Sequence, residues 1–76
     1  MTFFAKRRAR KELEYIYHEL CQYLSNNYKE PAHRAREKLS LRTEELYSAG
    51  LLSEKDYDFY RNLGEEYARK MMDYHH

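Results

Sequence analysis

Residues 46–57 read Leu46-Tyr47-Ser48-Ala49-Gly50-Leu51-Leu52-Ser53-Glu54-Lys55-Asp56-Tyr57, and this stretch decides the fold. It has the order of a helix end, a tight reversal and a new helix start. Gly50 follows a charged, periodic segment and can adopt the left-handed conformation that closes a helix, because it has no Cβ to clash. Leu51 and Leu52 are then expected inside. Ser53 can accept a hydrogen bond from a free backbone amide, and Asp56 three residues later puts negative charge into the first turn, a relative of the capping box. The two flanking helices must fold back on each other.

Beyond the turn, Tyr57, Tyr60, Gly64, Tyr67, Met71 and Tyr74 line one face of a third helix predicted over residues 53–74, with Phe59 and Leu63 widening it. Gly64 in that face costs about 1 kcal/mol against alanine. A ring or backbone from another helix is expected to pack over it, so that leucine there would overpack. Before the turn, a second helix is predicted over 31–49, opened by Pro31, with a thin inward stripe of Ala32, Ala35, Leu39, Thr43 and Leu46. Leu41 points the other way. A first helix is predicted over 5–27, its stripe made by Leu13, Ile16, Tyr17, Leu20, Leu24 and Tyr28. Upstream of Leu13 the stripe gives way to Lys6, Ala9 and Arg10, so residues 1–12 are expected to project as a basic N-terminal arm. The expected architecture is a single all-α domain over residues 1–76, a three-helix antiparallel (up-down-up) bundle.

Composition agrees with that class. With 76 residues, no Val and one Ile, the chain is poor in strand formers. A chain this short buries only about 60% of its unfolded surface, which leaves little room for an enclosed active site. No apolar run exceeds three residues, and the single cysteine, Cys21, has no internal partner. A cytoplasmic protein of a reducing compartment is the expectation. Whether His75 and His76 are native is open. Net charge is +1, but residues 1–42 carry ten Lys/Arg against five Asp/Glu, or +5, and residues 43–76 four against eight, or −4. This asymmetry suits head-to-tail association or an acidic partner, or the halves neutralise each other across a helix interface.

Residues 43–63, with Leu46, Gly50, Leu52, Ser53, Asp56, Tyr57 and Leu63 at matching places, resemble the short C-terminal helical-hairpin domain called SHOCT. The resemblance covers about a quarter of the chain and implies an interaction module with no catalytic residues.

Chemistry-bearing clusters are sparse. Glu14, His18 and Cys21 share one helix surface but leave a tetrahedral metal site short of a ligand, and Glu30-Pro31-Ala32-His33 is a single Glu-x-x-His copy where di-iron bundles need two. No nucleophile elbow or phosphate-binding loop is present, so no enzyme, metal or cofactor is expected. The strongest local signal is Lys6-Arg7-Arg8-Ala9-Arg10-Lys11, five cations in six residues where positive charge disfavours a helix start. Arg34, Lys38 and Arg42 could extend this polyanion footprint, and Phe3 and Phe4 beside it give a weaker case for a membrane surface. The second signal is nine tyrosines and three phenylalanines, more rings than a three-helix core holds. Tyr15, Leu41 and Phe59 are the interface candidates. The expected function is a small non-enzymatic protein-interaction or regulatory module, self-associating as a homodimer or binding another protein. The alternative is an accessory nucleic-acid-binding protein that uses the arm.

Overall fold

The computed structural model describes the backbone of residues 2–72 and the side chains of residues 3–70. Three helices follow one another: α1 (Thr2–Ser25), α2 (Lys29–Ser48) and α3 (Glu54–Met72). α2 packs against both neighbours, giving an all-α three-helix bundle about 47 Å long and 15 to 18 Å across. The predicted positions Tyr74, His75 and His76 lie outside the described residues.

Both reversals are built by the same backbone device. At the second, the Leu51 amide donates to the Leu46 carbonyl at 2.9 Å and the Gly50 amide to that of Tyr47 at 3.0 Å, with Gly50 at φ +76°. These are the two bonds of a Schellman motif, and Leu46 and Leu51 close it from the apolar side. At the first, Tyr28 N–H donates to Tyr23 C=O at 2.8 Å and Asn27 N–H to Leu24 C=O at 3.2 Å, with Asn27 at φ +58°. Asparagine is the side chain that best tolerates this conformation after glycine. Replacing Gly50 by alanine is therefore expected to cost about 1 to 2 kcal/mol of stability. A urea midpoint equal to that of the parent would refute the strain argument.

Three sequence expectations need correction. α1 stops at Ser25 rather than residue 27, so Tyr28 is no longer part of its stripe; it packs on Tyr23 across the turn, ring centroids 6.5 Å apart. α2 starts at Lys29, two residues before Pro31, because a proline in the first turn removes an amide that has no intrahelical acceptor anyway. Most consequential, α1 is helical from Thr2 and buries Ala9 to 3% exposure, so the inward stripe does not break down above Leu13 but continues to Ala9. Ser53 caps α3 as expected, its Oγ accepting from the Asp56 amide at 3.1 Å.

The core runs through Ala9, Leu13, Ile16 and Leu20 of α1, Ala32, Ala35, Leu39 and Leu46 of α2, Leu52 of the turn and Tyr60 of α3. The small residues of α2 let both partners approach. Thr43 is fully buried, and its hydroxyl is satisfied by donating to the Leu39 carbonyl at 2.6 Å. Among the described residues, no ring or backbone of another helix comes within 4 Å of a Cβ built at Gly64. A Cβ built there would meet only the Ser40 hydroxyl, at 3.2 Å, so the glycine permits close approach of α2 through one small polar group.

Candidate interaction surface

Antiparallel return brings the start of α1, the end of α2 and the start of α3 to one end of the bundle. The acidic Glu44 and Glu45 of α2 and Glu54, Asp56 and Asp58 of α3, which flank the second turn, thus share an end with the basic segment. Neutralisation is nonetheless incomplete. Lys6, Arg7, Arg8, Arg10 and Lys11 are all exposed, and among the described residues none forms an ion pair. At 100° per residue their side chains wrap more than half of the helix circumference on either side of buried Ala9. Phe3 and Phe4 stand beside them, 70% and 63% exposed, with rings edge to face at 5.6 Å.

The basic residues of α2 behave differently. Arg42 forks onto Glu12 of α1, Nε to Oε2 at 2.5 Å and Nη2 to Oε1 at 2.9 Å, while its Nη1 reaches Glu45 at 2.8 Å. It is a clamp between helices, with all three guanidinium nitrogens engaged by glutamates. Arg34 pairs with Glu30 at 3.4 Å along its own helix. Lys38 lines a shallow groove with Arg34, Glu19 and Tyr23. Arg34 lies about 14 residues of α2 from the turn that meets the basic segment, or roughly 21 Å at 1.5 Å per residue. Of the three α2 cations singled out from sequence, Arg34 is remote from the cluster of five, whereas Arg42 and Lys38 lie around Glu12, next to Lys11 in the chain, with Arg42 already paired.

The bond from Arg42 holds the Glu12 carboxyl below the ordinary glutamate range, against an opposing push from burial. A folded-state pKa below the unfolded value means the stabilisation is present above the unfolded pKa and disappears as pH falls through the folded one. Lowering pH from neutral is expected to erase the stability difference between the parent and Glu12→Gln, measured as urea midpoints. A difference that persists in strong acid would contradict this account.

The interface candidates scatter. Tyr15, Leu41 and Phe59 are 63%, 60% and 55% exposed, each on a different helix, with Tyr15 and Leu41 on the outer backs of α1 and α2. Other surplus rings find partners inside the chain. Tyr47 and Tyr57 stack at 3.9 Å, and the Tyr57 hydroxyl donates to the Glu44 carboxylate, which raises the phenol pKa. Tyr67 meets the Tyr17 ring at 6.1 Å and Cys21 Sγ at 3.8 Å; the neighbouring Tyr17 hydroxyl, burial and Cys21 together push its pKa up.

The residues weighed as metal ligands take separate partners. His18 lies 3.5 Å from Gln22, Cys21 contacts Tyr67, and Glu30 holds Arg34. Among the described residues no three His, Cys, Asp or Glu side chains converge on a common point. Also among the described residues, no helix is long and apolar enough to cross a membrane.

What the sequence did not disclose is the company of the basic segment. Ser53 and Asp56, at the start of α3, form a cleft of about 250 Å³ with Phe3, Lys6, Arg7 and Arg10. Nothing local in residues 1–12 signals that neighbour. No protein-family model, curated protein or solved structure matches the chain.

Proposed function

We propose that the chain is a small non-enzymatic binding module that works by docking the α1 end of the bundle onto an acidic protein partner. One observation carries the reading: Lys6, Arg7, Arg8, Arg10 and Lys11 are exposed cations crowded onto one stretch of helix without carboxylate partners, whereas the other cations without an ion pair among the described residues, Arg36, Lys38, Lys55 and Arg69, are scattered over α2 and α3. Like charges four apart on one helix, as Lys6 with Arg10 and Arg7 with Lys11, repel each other, a cost that an anionic partner relieves. The exposed rings of Phe3 and Phe4 add apolar anchors of the kind that interface cores use. Likeness of the 43–63 hairpin to an interaction domain fits the same class.

Nucleic acid is the second reading, favoured by the way the five cations wrap the helix rather than forming one stripe. Anisotropy titrations of the parent and of a variant with all five replaced by alanine, against polyglutamate, duplex DNA and single strands, separate the two. Binding to polyglutamate that disappears in the variant supports the protein reading. A preference for either nucleic acid transfers the function to the alternative, and no binding to any anion refutes both.

A further inference from the structure

The helices are unevenly spaced. α2 is close to both partners, whereas α1 and α3 meet through long side chains, chiefly where Tyr17 and Cys21 reach Tyr67. That bridge stands toward the far end. Nearer the basic segment the seam between α1 and α3 opens into the cleft of Phe3, Lys6, Arg7, Arg10, Ser53 and Asp56. Buried Tyr60 lies near Arg10, Glu14 and Asp56. Asp56, Phe59 and Leu63 follow at three and four along α3 and so share one stripe, on the opposite side from Arg61, Gly64 and Ala68, which line a groove against α2. The ring of Phe59 is 55% exposed, packed edge-on to Tyr60, and Leu63 is half-buried.

We infer that this open α1–α3 seam seats an acidic amphipathic helix of the partner protein. The inference rests on the binding-module reading above and adds the seat and the chemistry of the occupant. Two parallel helices held apart present a groove that a further helix fills by the packing used in four-helix bundles, and the described residues offer no sheet edge for an extended segment. Phe3 on one wall with Phe59 and Leu63 on the other receive the occupant's apolar stripe. Lys6, Arg7 and Arg10 meet its carboxylates. Within the lining of the cleft, three cations stand against the one carboxylate of Asp56, which favours an anionic occupant, and Asp56 itself favours spaced side-chain charges over a continuous phosphate chain. A duplex would give the Phe59 ring nothing to bury against.

The probe is a synthetic helical peptide of about 18 residues with leucines at i, i+3, i+4 and i+7 and glutamates elsewhere, compared with polyglutamate of equal charge and a duplex DNA. The parent is expected to bind the peptide at least about tenfold more tightly than polyglutamate. Phe59→Ser should remove about that factor while leaving polyglutamate binding and the salt slope unchanged, as loss of one central aromatic anchor does. Arg7→Ala with Arg10→Ala should weaken both ligands. Phe59 is outside the core, and a thermal melt of Phe59→Ser confirms that the fold is kept. Peptide and polyglutamate bound equally, with no effect of Phe59→Ser, would overturn the seam and leave the binding-module reading standing. Duplex bound in preference to either acidic ligand would overturn the protein partner, and failure to bind any of them would overturn the reading as well.

Discussion

Leu39→Ala is expected to cost about 2 to 5 kcal/mol, the range for truncating a fully buried leucine. The chain as a whole, at the usual 0.05 to 0.15 kcal/mol per residue, has about 4 to 11 kcal/mol in hand. Leu39 is completely buried at the middle of α2, the helix that contacts both others, so its removal opens a cavity at the junction of all three. Its helical neighbours on the inner stripe are Ala35 and Thr43, which are too small to fill the space. Leu41 provides the control. Only two residues along the same helix but 60% exposed, its replacement by alanine is expected to stay within about 0.5 kcal/mol of the parent. Urea denaturation followed by helical circular dichroism reads both. Equal midpoints for the two variants would mean that the core is not where the burial places it.

The contrast between two leucines two positions apart shows why the fold could be read from the chain. Helical periodicity assigned Leu39 inward and Leu41 outward before any contact was known. The Gly50-to-Ser53 turn announced itself through local chemistry alone: a residue free to take φ +76°, then a hydroxyl three residues before an amide that needs an acceptor. The first turn was harder because Asn27 takes the left-handed conformation with a Cβ in place, a role for which asparagine is only one candidate. Four-residue spacing from Leu24 then drew Tyr28 into the helical stripe. Ala9 was misjudged in the opposite direction. Ala9, Leu13, Ile16 and Leu20 recur at four, three and four, so the stripe does continue to the start of the chain; the small side chain concealed it, although close packing is what a small side chain allows.

The candidate surface was legible only as charge. Five cations in six residues are visible in any reading of the sequence, but whether a cation is paired depends on what the fold brings to it. Arg42 is clamped by Glu12 from thirty positions away, a partner that no local pattern supplies. Arg7 and Arg10, which look no different in sequence, come to rest beside the start of α3 and stay unpaired. Gly64 makes the same point in the core. Its cost to the helix is a local property, but the Ser40 hydroxyl that lies against it is a tertiary one.

Replacing Lys6, Arg7, Arg8, Arg10 and Lys11 together with alanine is expected to separate binding from folding. All five are exposed and unpaired, and buried Ala9 between them is left intact. Alanine has the higher helix propensity, and removing the like-charge pairs Lys6/Arg10 and Arg7/Lys11, four apart on α1, relieves repulsion, so the variant should melt at or above the parent temperature. Lost affinity can then be assigned to charge. If the segment engages a polyanion with regularly spaced phosphates, log affinity falls linearly with log salt, by about 0.9 for each contact on duplex DNA and about 0.7 on a single strand. Five contacts on a duplex correspond to a loss of roughly 500-fold between 50 and 200 mM salt, and the alanine variant should show almost none of that slope. An acidic protein partner predicts a different pattern. A folded acidic surface lacks the condensed counterion layer of a nucleic acid, and contacts through Phe3, Phe4 and Phe59 are insensitive to screening, so the parent should lose much less affinity over the same range. A steep slope that the alanine variant abolishes would therefore favour phosphate, whereas a shallow slope with binding still lost in the variant would favour carboxylates. A steep slope that survives in the variant would remove the basic segment from the function altogether, because the charges responsible would have to lie elsewhere on the bundle.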